Sequence, residues 1–407
     1  MSIACLFSGR YCEADEIAGI VAEKTGSRII GDSEIAGRAA ELSGMSPERI
    51  GRAFTSGTSI FNKFNHEKER AVSWLRLATA QALAEAGSGH VVLHGFTAML
   101  TPSSVTHLLH ACLIAGLAHR VGVAGKLDVN AKQAQKTILQ ADEDCAAWIK
   151  QLFQAEDPWS WQLYDLLVPV DKAGVNGAAD LILTQLGNAA VKRTPSSEQA
   201  LKDFLLAAEV ETALATAGHH VEVSAKSGKI TLTINRNVLM LERLERELSE
   251  VARVVPGVTD VATKVGPAFH QTDIYRRVDF ELPSRVLLVD DEREFVQALS
   301  ERLMLRDMGS AVAYDGESAL DLISTDEPEV MVLDLKMPGI DGIEVLRRVK
   351  ETRPGVQVII LTGHGTEKDR EICMQLGAFA YLHKPVDIDT LSKTIRQAHE
   401  RAAAQAV

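Results

Sequence analysis

The stretch RVLLVDDE (residues 285–292) holds a four-residue apolar run, Val286 to Val289, that stops on two adjacent carboxylates, Asp290 and Asp291. An unbroken apolar run is the pattern of a strand covered on both faces. Phe295, Val296, Leu299 and Leu303 then recur at helical spacing. The alternation continues: AVAY (311–314) before ESALDLI, VMVLDL (330–335) before GIEVLRRVK, VQVIILTG (356–363) before KDREICMQLG, and AYL (380–382) before a last helix from Asp387. Five strands, each followed by a helix, predict a doubly wound five-stranded parallel sheet. Ligands of such sheets bind beyond the carboxyl ends of the strands. Here those ends carry Asp290-Asp291, Asp334, Thr362 and, just after the fifth strand, Lys384-Pro385.

Carboxylates gathered from separate strand ends repel one another unless a cation neutralises them. Oxygen-only donors suit a hard ion such as Mg²⁺. A carboxylate beside it can attack a phosphoryl donor and form an acyl phosphate, with Lys384 and Thr362 holding the transferred oxygens. Through LLVDDE, VLDLKMPGIDG, ILTGHG and YLHKP, residues 284–403 resemble the receiver domain of bacterial response regulators. That resemblance implies the strand order 2-1-3-4-5 and Asp334 as the phosphorylated residue. It implies a Mg²⁺ site made by Asp290, Asp291, Asp334 and the backbone carbonyl of Lys336, with Asp291 the more direct ligand of the acidic pair. Thr362 and Tyr381 correspond to the switch pair, Lys384 to the phosphoryl-binding lysine, and the Lys384–Pro385 bond is expected to be cis. The implied partner is a sensor histidine kinase or a phosphotransfer protein.

Upstream, two breaks punctuate the chain, at Lys192–Ser197 and from Gly266-Pro267 to Pro283-Ser284. Ser196 and Gln199 have capping-box spacing ahead of Leu201, Phe204, Leu205 and Ala208. Residues 208–266 read helix, strand, strand, helix, strand. Val221 and Val223 alternate before a Ser227-Gly228 turn, Ile230, Leu232 and Ile234 alternate after it, and Leu239, Leu241, Leu244, Leu248 and Val251 form an amphipathic helix. With Gly257, Val258 and Val261, this order resembles a BON domain, a small α+β module that implies an interaction or spacer role and no catalysis.

The first block, residues 1–195, is again α/β. Strands are expected at residues 3–7 and 27–30 and within HVVLHGF, LHACLIAG and YDLLVPV. A strand, loop and helix at its start stand where a phosphate-binding loop is expected. Through DEIAGIVAEKTGSRIIGDSEI, VVLHGFTAML, CLIAGLAHRV and YDLLVPV it resembles the cytidylate-kinase-like family, a branch of the P-loop nucleoside monophosphate kinases. The loop is degenerate, however. Gly9 is followed by Cys12-Glu13-Ala14-Asp15, which lacks a glycine-rich cradle and a GK[ST] lysine and sets carboxylates where phosphate would sit. Arg10 and Arg120 are the residues read as contacts for a nucleotide-like ligand. His94, His107, His110 and His119 lie close in sequence, and His107 and His110 are read as sharing a helix face. No carboxylate partner accompanies them, so no metal site is assigned there.

The 407 residues carry 43 Lys+Arg against 55 Asp+Glu, a formal charge of −12, which argues against non-specific nucleic-acid binding. The five scattered cysteines are read as reduced thiols of a cytoplasmic protein. The most apolar stretch, read as helical around Leu108 to Ala118, is broken by His110 and too short to span a bilayer, so no membrane is expected. With the last helix ending near Val407, no DNA-binding output is expected, and homo-oligomerisation is left open. The whole reads as an α/β multidomain phosphorelay response regulator that signals through its first two blocks. Receiver self-phosphorylation is expected and N-terminal kinase turnover is not. The alternative is a phosphorylation-gated nucleoside monophosphate kinase.

Overall fold

The computed structural model describes residues 3–57, 66–87, 89–236, 238, 240–267, 269, 283, 285–304, 306, 308–363 and 365–405. Leu239 and most of the break after Gly266 lie outside them. The described residues form two compact units.

The first unit runs β1 (Ile3–Ser8), α1 (Ala14–Thr25), β2 (Arg28–Gly31), α2 (Asp32–Ser43), α3 (Pro47–Gly51), α4 (Glu67–Glu85), β3 (Val91–His94), β4 (Leu108–Ile114), α5 (Leu117–Lys126), α6 (Ala131–Phe153), β5 (Leu166–Pro169), α7 (Val170–Leu186), α8 (Pro195–Thr216), β6 (Glu222–Lys226), β7 (Lys229–Ile234), α9 (Leu241–Arg253) and β8 (Asp260–Val265). Its larger sheet is parallel in the order β2-β3-β1-β4-β5. Central β1 alternates its side chains between two cores. Cys5 and Phe7 join one with Leu75 and Trp148, and Ala4 and Leu6 join the other with Ile17 and Val21. Both faces being covered, β1 has no polar face at all.

The strand expected within LHACLIAG is β4; the competing helical reading around Leu108 does not hold, so His110 sits on a strand and His107 just before it, not on one helix face. A short apolar run does not by itself distinguish a strand from a buried helix. The cap of α8 is also two residues earlier than Ser196 and Gln199. Thr194 Oγ1 accepts from the N–H of Ser197 at 3.1 Å, and Ser197 Oγ accepts from the N–H of Thr194 at 3.0 Å. Pro195 takes the first helical position, where its fixed φ suits the helix and its missing N–H costs nothing.

Helix α8 serves two cores. Leu201, Phe204 and Ala208 belong to the core of the large sheet. Further along, Val210 and Leu214 pack with Ile230, Leu232 and Leu248 beneath the three-stranded sheet β6-β7-β8. The order helix, hairpin, helix, strand is that expected, with α9 burying Leu244, Leu248 and Ala252.

The second unit runs β9 (Val286–Val289), α10 (Arg293–Met304), β10 (Ser310–Ala313), α11 (Gly316–Thr325), β11 (Val330–Leu333), α12 (Gly342–Thr352), β12 (Gln357–Thr362), α13 (Glu367–Gln375), β13 (Ala380–His383) and α14 (Ile388–Gln405). Its five strands are parallel in the order β10-β9-β11-β12-β13, the expected 2-1-3-4-5. Every residue of β9, β11 and β12 is buried, so the carboxyl ends of these strands are fixed by a rigid frame. Among the described residues no helix is long and apolar enough to cross a membrane.

Candidate functional site

At the carboxyl edge of the second unit, β9 delivers Asp290 and Asp291, β11 delivers Asp334, β12 ends in Thr362, and Lys384 follows β13. Backbone bonds set their heights. The N–H of Asp334 donates to Val289 O at 2.9 Å and that of Lys384 to Thr362 O at 2.9 Å. Asp290, Asp334 and Thr362 are buried, whereas Asp291 is exposed. The three carboxylates place ligand oxygens within 4.8 Å of one another, the one such metal-capable group among the described residues. This all-oxygen set fits a hard divalent cation that keeps several waters.

Lysine 384 balances that charge. Its Nζ lies 2.6 Å from Asp290 Oδ2, 3.1 Å from Glu292 Oε1 and 3.6 Å from Asp334 Oδ2, and 4.5 Å from the centre of the Phe295 ring. Burial works against the ammonium, but the bond to Asp290 and the charges of Asp290 and Asp334 outweigh it and raise its pKa. Burial likewise lifts the Asp290 carboxyl above its ordinary value, offset in part by Lys384 and the N–H of Glu292. The Lys384–Pro385 bond is cis, as expected. Glu292 and Phe295 are neighbours of Lys384 that sequence reasoning did not single out, although Glu292 directly follows the acidic pair. Gly342 was also missed: a Cβ there would fall 2.2 Å from Asp334 O, so only glycine lets α12 start against the Asp334 backbone.

Tyr381 lies under the β12–α13 connection. Its hydroxyl is buried without a hydrogen-bond partner among the described residues, and a Cβ on Gly365 would fall 1.6 Å from it. Gly365 therefore makes room for the inward ring. Gly365→Ala is expected to turn the ring out to solvent. A fluorotyrosine resonance assigned by Tyr381→Phe would then shift towards the free amino acid; an unmoved resonance would refute the steric argument.

In the first unit, a cleft of about 1110 Å³ opens at the carboxyl ends of β1, β2 and β3, lined by Arg10, Glu13, Asp15, Asp32, His94 and Lys126 among others. Arg10 is exposed, its guanidinium 5.4 Å from the Tyr11 ring centre. Arg120 is buried. It grips Asp142 at 2.9 and 2.7 Å, and its Nε donates to Arg10 O at 2.8 Å. Asp32 accepts from the N–H groups of Phe96 and Thr97, each at 2.8 Å. Gly95, at φ 114°, leaves room for this carboxylate. Burial raises the Asp32 pKa despite these bonds.

Three of the four histidines do have carboxylate partners, from distant segments: His94 Nδ1–Asp15 3.4 Å, His110 Nδ1–Asp165 3.6 Å and His119 Nε2–Glu13 3.0 Å, whereas His107 Nδ1 meets Ser197 Oγ at 2.9 Å. Each is a separate pair, and the structure does not bring the four rings into a metal-binding group. Burial pushes the Cys12 thiol up to about 11 and that of Cys145 to about 12, so neither is a thiolate at neutral pH.

Comparison with known proteins finds two family matches. Residues 286–396 match the response regulator receiver domain, and residues 3–172 match the cytidylate kinase-like family. The chain is 36% identical over 115 residues to Response regulator MprA of Mycolicibacterium vanbaalenii, covering 28% of this chain and 50% of MprA. It is 34% identical over 121 residues to the transcriptional regulatory protein GlrR of Escherichia coli, covering 30% of this chain and 27% of that protein. The chain thus spans about half the length, or less, of these curated relatives. Among solved structures, a response regulator receiver domain protein from Clostridium thermocellum is 33% identical, covering 30% of this chain and 97% of its own, with a TM-score of 0.29. The chain thus carries a C-terminal response regulator receiver domain and a cytidylate kinase-like N-terminal domain.

Proposed function

We propose that this protein is a phosphorelay response regulator that accepts a phosphoryl group on Asp334 from a histidine kinase or phosphotransfer protein. The observation that carries this reading is the trio Asp290, Asp291 and Asp334, with Lys384 Nζ 3.6 Å from Asp334. An Asp334 carboxylate oxygen attacks the phosphorus as the bond to the donor breaks, leaving an acyl phosphate on the chain and the electron pair on the donor. Lys384 exchanges its contacts with Asp290 and Glu292 for the new phosphoryl oxygens. Thr362 donates its hydroxyl to one of them, and Tyr381 fills the space behind it. Asp290, Asp291, Asp334 and the carbonyl of Lys336 would hold Mg²⁺, with Asp291, the exposed member, the more direct of the acidic pair. When bound, that ion neutralises the carboxylates and the transferring charge.

The N-terminal domain is in this reading a ligand-binding or protein-docking module without turnover, with Arg10 facing the ligand and Arg120 setting the loop. The α8–β8 module, BON-like in its element order, is an interaction or spacer element. The acidic net charge favours protein partners over DNA, and the buried free thiols suit a reducing cytoplasm. A gated nucleoside monophosphate kinase is the second reading, favoured by the family match and the open cleft.

A coupled assay for ADP on the full chain separates the two. With ATP, Mg²⁺ and CMP, dCMP or UMP, with or without acetyl phosphate, no turnover is expected. A loop with no glycine-rich cradle and no GK[ST] lysine, and with the carboxylates of Glu13 and Asp15, is poorly equipped to stabilise spreading phosphoryl charge. Turnover near the roughly 1–100 s⁻¹ of ordinary kinases would promote the gated-kinase reading.

A further inference from the structure

The loop between β1 and α1 is held in an unusual way. Two of its non-glycine residues, Tyr11 at φ 61° and Glu13 at φ 53°, are left-handed, a region that such residues enter rarely and only where their surroundings hold them. On one side the Arg10 carbonyl is fastened to Arg120, itself locked on Asp142. On the other side the fastening is Glu13. Its carboxylate meets His119 Nε2 at 3.0 Å and Lys126 Nζ at 3.7 Å, both from α5, with only 15% of its side chain exposed.

Glu13 is also the residue before the first turn of α1, yet its side chain does not cap that helix. It reaches across to α5 instead. A histidine ring nitrogen and a lysine ammonium, both from α5, therefore face one mostly buried carboxylate at the wall of the cleft. Without that carboxylate, the same groups form a receptor for an anion.

We propose that His119 and Lys126 make an anion subsite that the protein keeps filled with its own Glu13, so that a phosphate-bearing ligand enters the cleft only by displacing this side chain. The proposal rests on reading the N-terminal domain as a ligand-binding module. It adds the class of ligand and the reason the resting domain excludes it. Asp15, in the first turn of α1, sets a second carboxylate on the wall of the same cleft, 3.4 Å from His94 Nδ1.

Glu13→Gly is the informative variant, because it deletes the carboxylate while suiting the left-handed backbone. Glu13→Gln keeps the side-chain length and removes only the charge. The probe is inorganic pyrophosphate, titrated calorimetrically into the full chain in EDTA, so that the metal-dependent receiver site contributes nothing. Glu13→Gly and Glu13→Gln are expected to bind pyrophosphate at least about tenfold more tightly than the native chain. Adding Lys126→Ala to Glu13→Gly should abolish the gain. Equal affinity in the native chain and both variants, or a gain that survives loss of Lys126, would overturn the proposal. ADP formation in the coupled assay would instead overturn the no-turnover reading, so the two failures are separate.

Discussion

Asp334→Asn is expected to abolish acyl-phosphate formation. With acetyl phosphate and Mg²⁺, the native chain should gain one phosphoryl increment by intact mass, and the variant should stay below about one-thousandth of that rate. Such a loss corresponds to roughly 4 kcal/mol of transition-state stabilisation. The amide cannot serve as the nucleophile. It should nevertheless fold, because the backbone bond from Asp334 N to Val289 O is untouched, and an amide oxygen can still accept from the N–H of Leu335, now 2.7 Å from Oδ1. Lys384 keeps its stronger partner, Asp290. Circular dichroism of the variant should therefore match the native chain. Equal phosphorylation of the two proteins would remove Asp334 from the site.

Phe204→Ala is expected to lower the stability of the first unit by about 3–5 kcal/mol, the usual cost of emptying a buried aromatic position. Phe204 sits in the core of the large sheet, and six residues further along the same helix Val210 belongs to the core beneath β6-β7-β8. An ion pair between Arg76 of α4 and Glu211 of α8 fastens the helix beside Val210, at the start of the second stretch. Loosening α8 at Phe204 should thus reduce hydrogen-exchange protection in β1, β3 and β4 and in β7 alike, as one cooperative loss. If β7 keeps its protection while β1 loses it, the three-stranded module folds independently and the coupling is wrong. The same geometry means that a fragment cut at residue 195 would leave an apolar surface of α4 uncovered, so binding experiments belong on the full chain.

Periodicity alone determined much of this protein. Apolar runs ending in Asp290, Asp334 and Thr362 marked both the strands and the edge where the carboxylates meet, because in a parallel sheet the strand ends are also the ligand edge. The hairpin at Ser227-Gly228 and helix α9 were equally legible, since each is a local pattern of period two or 3.6. The tertiary structure decided what such patterns do not encode, namely which neighbour a buried or charged residue meets. Apolar on both faces, β4 has no period to distinguish it from a helix. The pairings of Arg120 with Asp142, 22 residues on, and of Glu13 with His119, 106 residues on, exist only once the loop after β1, α5 and α6 are folded together. That α8 would be shared by two cores was likewise invisible. A helical stripe declares that it is buried, whereas the element that buries it is selected by the topology of the folded chain.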